Sequence, residues 1–148
     1  MQISMHFTSE ELCFSATAAR LGLDNAPTPS IVANLKQLAA VMEDVRLALG
    51  GLAIVVHSGY RSVATNYAVG GVRTSAHCLG LACDFVCPSF GRPVDVALSL
   101  MKSDIAYDQL ILEYGWVHIG LPQVGLTARR QTLTKRAARA AYESGIHA

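Results

Sequence analysis

The chain has 148 residues, 51% hydrophobic and 16% charged, which excludes disorder and fits one domain with a sizeable core. A formal net charge of +1 excludes a global electrostatic pull toward nucleic acid or an anionic membrane. No apolar run reaches the length of a membrane span, and the start, Met1 to Phe7, lacks the basic-then-apolar pattern of a secretory signal.

Thr8-Ser9-Glu10-Glu11 reads as a capping box, with Thr8 as cap and Glu11 at the reciprocal position. It predicts a helix to about Arg20. Asn25-Ala26-Pro27-Thr28-Pro29 is a stiff linker, after which Ser30 is the predicted cap of a long helix. Ile31, Leu35, Leu38, Met42, Val45 and Leu49 recur at helical spacing, and Gly50-Gly51 ends the helix. Leu52 to Val56 is β-branched and apolar and predicts a buried strand that empties into His57-Ser58-Gly59-Tyr60-Arg61. Ser62 caps a brief helix to Val69. Leu81 to Cys87 predicts a second strand stopped by Pro88, and Pro93 starts a helix to Lys102. Gln109–Glu113 and Trp116–Leu121 predict two strands joined at Tyr114-Gly115. The expected fold class is α+β, with N-terminal helices packed on a small, mostly antiparallel sheet. Residues 1–125 form the expected domain and residues 126–148 a basic C-terminal extension, part of that domain or a docking tail. Its Arg129, Arg130, Lys135, Arg136 and Arg139 against Glu143 read as a solvated helix face, or as a docking segment for an anionic surface or a partner protein.

The four cysteines, Cys13, Cys78, Cys83 and Cys87, do not form a disulfide framework. Cys83 and Cys87 lie roughly 13 Å apart along one strand, beyond the approximately 7 Å a disulfide spans. The gap between Cys78 and Cys83 also misses the usual thiolate zinc spacing. They read as small apolar residues.

His77, Asp84 and His118 carry the chemistry. Asp84 sits in an apolar strand, where a carboxylate is costly unless paired or metal-bound. On the alternation of a strand it shares a face with Ala82 and Val86, while Cys83 and Phe85 point the other way. Gly80 permits the tight turn that folds His77 back toward Asp84. Two imidazoles and one carboxylate hold zinc while leaving a fourth position open, as catalytic sites do. If Tyr114-Gly115 is a two-residue turn, Glu113 opposes Trp116, Ile111 opposes His118 and Gln109 opposes Gly120. Directly opposed residues share a face. Glu113 then lies diagonal to His118, too far for a fourth ligand and well placed as a general base on water. A surface carboxylate or an ion pair with Arg61 is the alternative for Glu113. Arg61 projects from a strand-end loop, where a guanidinium grips a substrate carboxylate through two parallel bonds; a structural salt bridge is its alternative. Ser75 and Ser58 offer hydroxyl donors. His57 is a turn histidine or a support for the metal ligands, His6 and His147 are surface residues, Trp116 a pocket wall or core residue, and Asp108 a turn cap.

The pattern Ser75-x-His77-x-x-Gly80-x-Ala82-x-Asp84 with Trp116-x-His118, together with Ser58-Gly59-Tyr60-Arg61-Ser62, Asn66, Val69-Gly70-Gly71 and Tyr107-Asp108-Gln109-Leu110-Ile111, resembles the zinc D-Ala-D-Ala carboxypeptidases and related peptidoglycan peptidases, especially the compact bacteriophage and prophage form. The likeness runs over roughly residues 6–121. It implies the fold shared with the Hedgehog signalling domain, zinc on His77, Asp84 and His118, and substrate carboxylate contacts from Arg61 and Ser75. Other branches place the catalytic acid three residues before the last histidine, which here is Gly115; Glu113 is the nearest candidate. The expected substrate is a peptidoglycan stem peptide, met in the periplasm or outside the cell by an endolysin or virion-associated enzyme, with the basic tail free to engage a virion or tail protein. The competing expectation is a virion structural or binding module that keeps the fold and metal site with little turnover.

Overall fold

The computed structural model describes residues 1–148. Thr8 caps the first helix, α1 (Ser9–Cys13), by accepting from the Glu11 amide. The predicted continuation to Arg20 does not form. Phe14 is extended, and Ser15 caps a separate helix, α2 (Ala16–Leu21). The carbonyls that would continue α1 are taken by tertiary donors: Leu12 O accepts from the Tyr60 amide at 2.7 Å and Cys13 O from Asn25 Nδ2 at 2.7 Å. A helix end with satisfied carbonyls has no drive to extend.

The long helix is α3 (Pro29–Ala48). Its cap is Thr28 rather than Ser30, because Pro29 at the first helical position needs no donor and has the helical φ built in. Leu35, Leu38, Met42, Val45 and Leu49 are fully buried, each contributing roughly 1.5–3 kcal/mol of apolar burial.

The next strand, β1 (Val55–Ser58), starts later than expected and is not buried: Val55 is 49% exposed. It is an edge strand, which explains its wet flank. Then follow α4 (Val63–Ala68, capped by Ser62), a short 3-10 turn (Ala76–Leu79), β2 (Ala82–Val86), α5 (Pro93–Met101), β3 (Gln109–Leu112) and β4 (Val117–Gly120). The basic extension is not helical; it forms β5 (Gln131–Thr134) and a short β6 (Glu143–Ser144). The sheet order is β1-β2-β4-β3-β5-β6, antiparallel throughout except for the parallel pair β3–β5. The α+β expectation therefore stands, with one parallel neighbour added.

One sheet face is apolar. Cys83, Phe85, Leu110, Leu112, Val117 and Ile119 meet α3 and α5 there in a single core. The other face carries Asp84, Ile111 and His118 and floors an open cleft. All four cysteines are free, and Cys83 and Cys87 are core residues.

Candidate active site

The register of β2, β4 and β3 builds the site. Asp84 pairs with His118, and His118 with Ile111, so these side chains share the cleft face. The register expected from the Tyr114-Gly115 turn is the one that forms, with Glu113 donating its amide to Trp116 O at 3.0 Å.

His77 arrives from the 3-10 turn. Gly80 closes that turn in the left-handed conformation at φ 68° and lies against α3, where an added Cβ would come within 3.1 Å of Ile31 Cγ2. Both features favour glycine. The buried imidazole places Nε2 3.3 Å from Asp84 Oδ2, while Nδ1 lies 2.6 Å from the Gly59 carbonyl. That carbonyl can only accept, so Nδ1 carries the proton and Nε2 presents its lone pair. His118 Nδ1 lies 2.9 Å from Asp84 Oδ1.

Ligand atoms of His77, Asp84 and His118 all lie within 4.8 Å of one another. Burial disfavours charge on His77 and lowers its pKa against the pull of Asp84. Burial alone would raise the Asp84 carboxyl, but the two histidines outweigh it and hold it well below the usual carboxylate range. With the imidazole neutral, Nε2 of His77 and Oδ2 of Asp84 are both acceptors, a pair that a bound metal cation or an added proton satisfies. Ligands at zinc bond lengths of about 2.0–2.1 Å in a tetrahedron stand roughly 3.3 Å apart. The donor set therefore fits zinc.

Glu113 is half-buried, lines the same cleft and makes no side-chain hydrogen bond or ion pair. Burial, then the charge of Asp84, raises its pKa. The Arg61 guanidinium is gripped by Asn66 Oδ1 at 3.2 Å and Ser58 Oγ at 3.3 Å, with Asp84 Oδ2 at 4.0 Å. Its carboxylate neighbour is thus Asp84 and not Glu113, and most of its donors are unengaged. Ser75 accepts from the His77 amide at 3.2 Å and lines the cleft with Arg61. The cleft holds about 1020 Å³, room for several residues of peptide.

Two expectations are corrected. His57 is an exposed strand residue at a bulge of β1, where the register shifts so that Ser58 faces Asp84. Asp108 is not a turn cap; it receives Arg129 at 2.8 Å and fastens the extension to the sheet. Trp116 is a pocket wall, one of its two expected places: it lines the cleft beside Tyr114, with ring centroids 4.5 Å apart, and its buried Nε1 has no partner. Sequence reasoning missed the Gly59 carbonyl and the orienting role of Asn66. A backbone acceptor leaves no mark on residue type, but a polar residue on a short helix just after Arg61 was a readable hint.

The family model described as Peptidase M15 matches residues 5–120. The chain belongs to the peptidase M15 family. This is a metallopeptidase family, and the match spans every residue of the proposed metal site as well as Arg61, Ser75 and Glu113. No curated protein matches the chain. No helix of this M15 peptidase is long and apolar enough to cross a membrane.

Proposed function

We propose that this M15 peptidase is a zinc-dependent D-Ala-D-Ala carboxypeptidase acting on peptidoglycan stem peptides. The convergence of His77, Asp84 and His118 in one cleft with an unpaired Glu113 and a half-engaged Arg61 carries the reading. Zinc held by the three ligands would supply Lewis-acid polarisation of the scissile carbonyl. Arg61 and the Ser75 hydroxyl bind the substrate's terminal carboxylate and fix the peptide across the cleft. Glu113, its pKa raised by burial, takes a proton from the attacking water. It returns that proton to the departing amine as the C–N bond breaks. Likeness to the compact bacteriophage forms supports delivery to the wall as a lysis enzyme or virion component.

The test is a mass-spectrometric digest of purified stem peptides by protein of measured zinc content. Release of terminal D-Ala is expected, with both zinc and product lost in His77→Ala. New internal amino termini would instead assign an endopeptidase. Full zinc occupancy with no product from any stem peptide would overturn the reading in favour of a virion or binding module that retains the metal.

A further inference from the structure

Glu113 has a neighbour supplied by the extension. Leu112 is paired with Val117 on one side and Thr134 on the other. The next row across the sheet is therefore Trp116, Glu113, Lys135, with the Lys135 amide donating to Leu112 O at 2.8 Å. All three line the cleft. Residues in one row share a face and sit about 5 Å from their neighbours. Lys135 thus brings an ammonium beside the unpaired carboxylate, on the flank of the cleft opposite Arg61.

Three other cations of the extension are engaged, and Arg139 is exposed and does not line the cleft. Arg129 binds Asp108, Arg136 binds Glu143, and Arg130 donates to the Ile105 and Ser103 carbonyls while covering the Tyr107 ring. Lys135 has no carboxylate within ion-pair distance. It rests over the Tyr142 ring, 4.6 Å from its centroid, a contact that orients a cation without neutralising it. A half-buried, oriented and unneutralised cation lining a substrate cleft is a binding site for an anion.

We propose that Lys135 is a specificity-determining residue that binds a second carboxylate on the peptide, so that the preferred substrate is a diacid held at both ends. The proposal rests on the peptidase reading for the position of the scissile bond. Residue 135 lies in the extension, outside the family match, which ends at residue 120. Arg61 reaches Asp84 on β2, and Lys135 follows β5. Three strand spacings and two residues of rise separate those positions by roughly 15 Å, about four residues of extended peptide. Between them stand the metal ligands and Glu113. The substrate carries one carboxylate at its C-terminus and a second about four residues upstream.

The experiment uses paired peptides ending in D-Ala-D-Ala that differ only in a carboxylate or its amide at the upstream position. Wild-type protein is expected to show a kcat/KM at least tenfold higher for the diacid. Lys135→Met and Lys135→Gln, two shapes without charge, are expected to bring that ratio near one, and Lys135→Arg to restore it. Equilibrium binding of the same pair is measured by calorimetry in the Glu113→Gln background, with and without Lys135→Met. A binding preference that Lys135→Met removes, seen without cleavage by the wild-type protein, would sustain the anion site while sinking the peptidase reading. A wild-type ratio near one in both measurements overturns the proposal, as does an equal loss on both peptides in the uncharged variants.

Discussion

At the scale of single residues, the proposed chemistry turns on Glu113, which a two-residue turn places on the cleft face and whose pKa burial raises. Its folded pKa lies above the ordinary glutamate value of about 4.3. In the proposed role of base Glu113 acts when ionised, so kcat/KM is expected to fall as pH drops through a point above that value. Glu113→Gln should remove this acid limb and lower kcat by roughly 10²–10⁴-fold, with zinc content unchanged. The sign for stability is opposite. A raised folded pKa favours the protonated form, so that contribution is complete at low pH and is lost as pH rises through the folded value. At neutral pH, Glu113→Gln is therefore expected to leave the melting temperature unchanged or raise it. A marked fall in melting temperature would show that Glu113 is structural. Much of this was legible because period-two alternation and a Tyr-Gly turn together fix a hairpin register. The tautomer of His77 was not, since a carbonyl oxygen contributed by Gly59 sets it.

Among the elements, the turn from β1 into Arg61 is the joint that couples folding to chemistry. Gly59 passes so close to α1 that an added Cβ would lie 2.2 Å from Leu12 O, and its own carbonyl fixes His77. Gly59→Ala must push that turn off α1. Loss of such a support typically weakens metal binding 10–100-fold. A loss of that size is expected in competition with a chelating dye, together with a lower melting temperature. Unchanged zinc affinity would show that the carbonyl is dispensable. The apolar stripe of α3 was readable because five of its positions face one core. The bulge that puts Ser58 rather than His57 opposite Asp84 was not, because an extra residue in a strand is set by its partner. The break at Phe14 was hidden likewise: the donors that end α1 come from Asn25 and Tyr60.

For the whole molecule, the extension is the part that local pattern concealed. Gln131-Thr132-Leu133-Thr134 has too few apolar residues to announce a strand, and the edge of β3 supplies its partner. Deleting residues 126–148 would bare that edge and remove a wall of the cleft. A melting temperature lower by roughly 5 °C or more and concentration-dependent association on a sizing column are expected. An equally stable, monomeric truncation would show that β5 is an ornament on the sheet. The division of β2 has a wider consequence. Cys83 and Phe85 enter the core while Asp84, between them, serves the cleft. Slippage by one position would bury the carboxylate and turn a phenyl ring toward the incoming peptide. Misassembled copies are therefore chemically silent, and the fraction of molecules able to hold zinc counts the correctly assembled population.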